Sequence, residues 1–348
     1  MSGRRYDLRI HEVEQGGAHI RVVLDRTGET TATGIYNLWF ERGGWARLGP
    51  EIEDRGTDRI ARTVTGTSDG LKIQPGDRVS WSGIYYATPA DAGLDAHEVV
   101  IDTAAGPCPA WKIDGNSTWA IHIHGLGSTR AGTLLGVQVA ADLGYSSLVV
   151  SYRNDGEGAT NVTGRSTLGW TENDDVEEAV DYAVRHGAER IVLFGWSMGG
   201  AIALQLALRP HLAPLIAGLV LDSPVLDWGG VIRANCTRAG LPARAGDLAL
   251  PWLRSKALSR FLGLPAPIPV GAMSFTSWAP QLATPTLILH GLSDDSVPST
   301  MSSALQRYRP DIVDLHFFCS GHTMAWNSNH PQWSATVTLF LAREKRRS

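Results

Sequence analysis

"IVLFGWSMGGAIALQLAL" (residues 191–208) sets Ser197 between two bulky residues, Trp196 and Met198, and brackets the trio with Gly195 and Gly199. The apolar run before it reads as a buried strand, and the apolar residues after it fall at helical spacing. A strand that enters a helix through G-x-S-x-G turns so tightly that side chains at the glycine positions would clash. The serine hydroxyl is then carried beyond the sheet's carboxyl edge. There it meets the free N–H groups and positive dipole end of the following helix. The extra Gly200 fits the same corner, so Ser197 is the first candidate for chemistry.

Outward from this corner the pattern repeats. Strands are expected at "HEVVID", "PAWKI", "WAIHIHG", "SLVVSY", "RIVLFG", "LIAGLVLD", "TLILHG" and "IVDLHFF". Helices are expected at "AGTLLGVQVAADLG", "NDDVEEAVDYAVRHG", "SMGGAIALQLALR", near "STMSSALQRY" and from Pro331 to about Arg343. β-Branched strands alternating with helices imply βαβ units and a doubly wound, mostly parallel sheet covered on both faces. Residues 223–280 break the alternation with a Pro-, Trp- and Leu-rich insertion. Before residue 87 the rhythm is period two ("HIRVVLD", "IYNLWFE", "RVSWSGIYY"), which reads as a small antiparallel β unit with one buried face. The expected division is residues 1–90 for that unit and 91–348 for the α/β part.

Composition narrows the function classes. The chain has 348 residues, 43% of them hydrophobic, and a formal net charge of −4. That charge offers no electrostatic footprint for nucleic acid, and the basic run at 343–348 reads as a solvated helix end. Three scattered cysteines, Cys108, Cys236 and Cys319, argue against a disulfide framework and a zinc site. "MSGRRYDLRI" lacks the apolar core of a signal peptide, and no stretch has the ~18 apolar residues of a membrane span. The expectation is a cytoplasmic protein acting on a small molecule, with no metal and no cofactor; oligomeric state is not legible.

A serine hydroxyl needs a base, and the base needs a carboxylate to hold its tautomer. His322, in "CSGHTMAWN" after the last expected strand, can be dropped onto the corner by its loop. His316 reads as a packed strand residue, His330 as a capping or surface residue, and His290 as structural. For the carboxylate, "HGLSDDSVP" offers Asp294 and Asp295, and Asp222 at the end of "GLVLD" is a third candidate. An oxyanion would be met by the N–H of Met198 and of Leu126, in "HGLG". His122 and His124 share one face of their strand but have no third ligand nearby, so the better role for His124 is to pin that loop. Asp155, at a strand's carboxyl end, is placed toward the pocket.

"HGLG", "GWSMGG", "LHGLSDDSVP" and "GHTMAWN" occur in the order found in α/β-hydrolases. From about residue 97 onward the chain resembles bacterial monoacylglycerol-lipase-like and serine-aminopeptidase-like members. The resemblance implies Ser197 as nucleophile, His322 as base, and Leu126 and Met198 as oxyanion donors. Its penultimate-strand motif, H-G-x-x-D-x-x-V-P, falls on Asp294 rather than Asp295. The insertion lies where such hydrolases carry a cap, so Trp228, Trp252 and Trp278, with Trp196 of the corner, are expected around an apolar substrate. The implied activity is ester hydrolysis through an acyl-enzyme. A peptidase, a thioesterase or acyl-transfer enzyme, and a non-catalytic binding relative are the alternatives.

Overall fold

A computed structural model describes residues 4–16, 19–160 and 163–347. Strands β1 (Leu8–Gly16), β2 (His19–Asp25), β3 (Tyr36–Phe40), β4 (Trp45–Asp54), β5 (Arg59–Thr67) and β6 (Arg78–Ser82) form the N-terminal unit. They close into an antiparallel barrel in the order β1-β2-β5-β4-β3-β6, with β6 returning to β1. Closure removes the exposed edges an open sheet would leave. The period-two pattern supplies the filling: Ile10, Leu24, Leu38, Phe40, Leu48, Ile60 and Val79 meet inside.

The α/β part is an eight-stranded sheet with the order β14-β13-β12-β11-β9-β10-β8-β7. Its strands are β7 (His97–Thr103), β8 (Gly106–Ile113), β9 (Asn116–Ile123), β10 (Tyr145–Val150), β11 (Arg190–Trp196), β12 (Ile216–Asp222), β13 (Thr286–Gly291) and β14 (Val313–Phe318). Strand β8 runs antiparallel to both β10 and β7, and every other pair is parallel. Helices α1 (Leu134–Asp142), α2 (Glu172–Arg185) and α3 (Met198–Ala207) lie among the first crossings. The insertion carries α4 (Trp228–Arg238), α5 (Arg244–Arg254), α6 (Lys256–Phe261) and α7 (Phe275–Trp278). Then follow α8 (Thr300–Tyr308), α9 (Ala325–Ser328) and α10 (His330–Arg347).

Two cores result, one on each face of the sheet. Helices α2 and α3 bury Val176, Ile202 and Leu206 on one face. Helices α1 and α10 bury Leu135, Val139, Trp333 and Val337 on the other. The insertion joins the first core through Trp228, Val231, Met273 and Trp278. His316 departs from expectation: it lies exposed on β14, since an edge strand has a neighbour on one side only. Among the described residues no helix is long and apolar enough to cross a membrane.

The barrel seats on α9, immediately after the histidine loop. Asn327 Nδ2 donates to Ile35 O and to Gly83 O, each at 3.0 Å. Ile35 N returns a hydrogen bond to Asn327 O at 2.9 Å.

Candidate active site

The corner after β11 is as tight as its glycines imply. Ser197 has φ 53° and ψ −113°, a conformation that a non-glycine residue adopts only under local constraint. A Cβ on Gly199 would lie 2.1 Å from Ile123 O, and one on Gly200 would lie 2.7 Å from Pro224 Cβ. Neither position has room for a side chain, so the bend depends on both glycines. Strand β9 ends alongside, where a Cβ on Gly125 would come within 3.0 Å of the Ser197 Cβ.

Three side chains converge at this point. His322 Nε2 lies 2.9 Å from Ser197 Oγ, and His322 Nδ1 lies 2.7 Å from Asp294 Oδ2. A carboxylate only accepts, so Nδ1 carries the ring proton and Nε2 is left to accept from the serine. Asp294 is buried and anchored from below: its Oδ1 accepts from Ser296 N at 2.9 Å and from Val297 N at 2.8 Å. Burial alone would push its carboxyl up, but hydrogen bonding to His290 and His322 holds it well below the usual carboxylate range.

His290 has a larger part than its sequence position suggested. Its Nε2 lies 3.1 Å from Val297 O and 3.2 Å from Asp294 Oδ2, and its Nδ1 lies 2.8 Å from Ser302 Oγ. Val297 O can only accept, so Nε2 is the protonated nitrogen, and it faces the same carboxylate oxygen, Asp294 Oδ2, that His322 meets. The signal was present in the sequence, as the histidine of "HGLSDD" four residues before Asp294.

The other two carboxylates stand elsewhere. Asp295 is 71% exposed and pairs with Arg238 at 3.2 Å. Asp222 is buried, accepts from Trp333 Nε1 at 3.1 Å, and is pushed up to about 6 by burial. Its neighbour Ser223 Oγ donates to Asp222 Oδ1 at 3.3 Å and accepts from Thr323 N at 3.1 Å, tying β12 to the residue after His322.

A cavity of about 250 Å³ opens at Ser197, and Trp196, Leu126, Leu135, His322 and Met324 line it. Among the described residues, neither Leu126 N nor Met198 N donates to another backbone group outside its own helix or strand. Four expectations for the pocket require correction. Asp155 is buried behind the loop, 3.0 Å from His124 Nε2, because it also accepts from Tyr152 N, Glu157 N and Gly158 N. Trp228 and Trp278 are core residues, and Trp252 is 43% exposed on α5; none of the three lines the cavity. Four consecutive residues at and just after the end of β6, Trp81 to Ile84, line it instead. No motif marks them, and only the three-dimensional contact brings them there. His122 is fully buried, pushed down to about 3 by that burial, and no metal-holding cluster occurs among the described residues.

Sheet order, strained corner and converging side chains together define an α/β hydrolase. Residues 120–337 match the family model described as "Alpha/beta hydrolase family", and the chain belongs to that family. Residues 9–82, the barrel, match a second model described as "Domain of unknown function (DUF8805)". RutD of Yersinia enterocolitica, named as a carbamate hydrolase, is 29% identical over 223 residues, 57% of this chain and 79% of that one. The esterase Pf2001 of Pyrococcus furiosus superposes with a TM-score of 0.58 at 20% identity, over 74% of this chain and 96% of that one. The serine hydrolase CCSP0084 of Cycloclasticus zankles gives a TM-score of 0.51 at 16% identity, over 71% and 98%. The two superpositions mark a shared fold.

Proposed function

We propose that the protein is a serine hydrolase that cleaves small carboxylic esters through an acyl-enzyme. The observation that carries this reading is the relay Ser197 Oγ–His322–Asp294, with steps of 2.9 and 2.7 Å. Ser197 Oγ attacks the acyl carbon while its proton passes to His322 Nε2. The new imidazolium is stabilised by Asp294, which its own environment keeps ionised. Met198 N–H and Leu126 N–H receive the carbonyl oxygen as it gains charge. His322 then gives the proton to the departing alcohol oxygen. Water repeats the sequence on the acyl-enzyme: His322 takes its proton, the acid leaves, and Ser197 is restored.

Ester rather than peptide chemistry is favoured by the cavity lining, which contains no Asp, Glu, Lys or Arg. A free amino terminus would be desolvated there without a counter-charge. The likeness to RutD favours a second acyl group, the carbamate, whose carbonyl is attacked in the same way. The test is a panel of p-nitrophenyl esters, a p-nitrophenyl carbamate and aminoacyl-p-nitroanilides, run on the wild type and on Ser197→Ala. Turnover of esters that falls by ~10⁴-fold or more in the variant supports the reading. Undiminished turnover in Ser197→Ala, or turnover of the anilides alone, overturns it.

A further inference from the structure

The cavity at Ser197 has two sources in the chain. Leu126, Leu135, Trp196 and Met324 come from the α/β part, whereas Trp81, Ser82, Gly83 and Ile84 are four consecutive residues at the end of the barrel. Their seating is built into the backbone. A Cβ on Gly83 would lie 2.3 Å from Met324 Sδ, so the chain just after β6 packs directly against the Met324 side chain of the histidine loop, and a side chain there would have to displace it. On the facing side, a Cβ on Gly132 would lie 3.7 Å from Ile84 Cγ1, which puts that side chain against the loop carrying Leu126. Ile84 N donates to Ser82 Oγ at 3.1 Å, fixing the bend between Trp81 and Ile84.

Trp81 is also held from behind. Its ring packs on Tyr36 at a centroid distance of 4.6 Å and lies 5.4 Å from the Arg62 guanidinium. Arg62 is fully buried, and it donates to four main-chain carbonyls: Thr30 O, Ala32 O, Gly34 O and Gly49 O. The first three belong to the loop that docks on Asn327, where a Cβ on Gly34 would lie 2.1 Å from Asn327 O. One buried cation therefore braces both the docking loop and the pocket wall. The four acceptors and two aromatic faces offset only part of its lost hydration: burial lowers the guanidinium to about 10, and Nε has no partner among the described residues.

We propose that the N-terminal barrel is a fixed wall of the substrate site, in which Trp81 and Ile84 limit chain length and select short, uncharged carboxylic esters. This rests on reading Ser197 as the nucleophile. Short chains follow from volume: about 250 Å³ lies below the roughly 300–1,000 Å³ of pockets that take drug-sized ligands. Uncharged follows from a lining without Asp, Glu, Lys or Arg. The wall is rigid because its residues are tied to the barrel core and to α9 at once. In an apolar pocket one methylene that fits or fails to fit is worth roughly 10- to 200-fold in rate, so displacing the wall has a measurable effect.

The test uses ethyl p-nitrophenyl alkylphosphonates, which are uncharged diesters, with methyl, butyl and octyl chains on the full-length protein. Ser197 Oγ forms a bond to phosphorus as p-nitrophenolate leaves, and the rate of modification is followed by mass spectrometry. The wild type is expected to label at least tenfold more slowly with octyl than with butyl. Trp81→Ala and Ile84→Ala should each recover octyl labelling by tenfold or more relative to methyl, while Trp252→Ala keeps the wild-type profile. Ile84→Ala carries the test if Trp81→Ala does not fold. A wild type indifferent to chain length, or wall variants that keep the wild-type profile, overturns the proposal. Absence of labelling at Ser197 with every phosphonate overturns the nucleophile assignment itself, and the wall's role with it.

Discussion

At the scale of single residues, the adjacent pair Asp294 and Asp295 separates function from surface. Asp294→Asn keeps the shape of the side chain but lets it donate toward His322 Nδ1, which favours the wrong tautomer; kcat should fall by ~10⁴-fold. Asp295→Asn loses one exposed ion pair and should cost tenfold at most. Steady-state kinetics on the two variants checks this, and a crippled Asp295→Asn beside an active Asp294→Asn would reverse the assignment. Asp222 makes a different prediction, about stability. Its native carboxyl titrates at about 6 against an ordinary value of 3.8. Between those values the folded state holds a proton that the unfolded state has released, so stability falls as pH rises through this window. Above it the loss, about 3 kcal/mol, is complete and constant. Asn cannot ionise, so Asp222→Asn should gain stability over the wild type from pH 4 to pH 7.5. Asp294 does not blur the comparison: its pKa is depressed, so its contribution is lost only as pH falls below the ordinary carboxylate range. Urea unfolding at the two pH values measures the difference, and parallel pH trends in the two proteins would contradict it.

At the scale of elements, local pattern and chain order were readable where chemistry is local. The strand–corner–helix at Ser197 is written in three glycines, Gly195, Gly199 and Gly200, and βαβ alternation announces a parallel sheet. Asp294 needed only the motif register, and the structure puts its carboxyl 2.7 Å from His322. The insertion was not readable, because tryptophans that cover a substrate and tryptophans that fill a core have the same composition. Trp278 is 7% exposed and packs into the main core, with Nε1 3.4 Å from Met273 O. Trp278→Ala should therefore cost on the order of 3–5 kcal/mol of stability, the range for deleting a buried aromatic ring. Its preference among p-nitrophenyl acetate, butyrate and octanoate should not change. A shift of preference with unchanged urea midpoint would return the insertion to the substrate pocket. Barrel closure and the seating of Trp81–Ile84 were also hidden, since both depend on contacts distant in sequence that no motif records.

At the scale of the whole molecule, the short helix α9 carries the hydrogen bonds that couple the barrel to the α/β part, beside the packing of Gly83 on Met324 and of Ile84 on Gly132. Asn327 is 1% exposed, and its two N–H groups serve Ile35 O and Gly83 O, one at the docking loop and one at the pocket wall. Its Oδ1 has no partner among the described residues, so the amide works here as a donor only. Asn327→Ala removes both donors and leaves two carbonyls without them, at about 1–3 kcal/mol each for groups that stay buried. Asn327→Asp is worse, because it sets acceptor oxygens against the same two carbonyls. The expected order of coupling is therefore wild type, then Ala, then Asp. Scanning calorimetry reads it directly: one cooperative transition in the wild type should split in the variants, with the barrel melting first and the separation largest for Asp. Because the same contact positions Gly83 against Met324, loosening it also moves the wall beside Ser197. Labelling by the octyl phosphonate, relative to methyl, should rise in the order in which the transitions separate. A single unsplit transition in both variants would mean that the barrel is held by apolar packing of Ile35, Tyr85 and Tyr86 on the Trp326 cluster, with Asn327 contributing little.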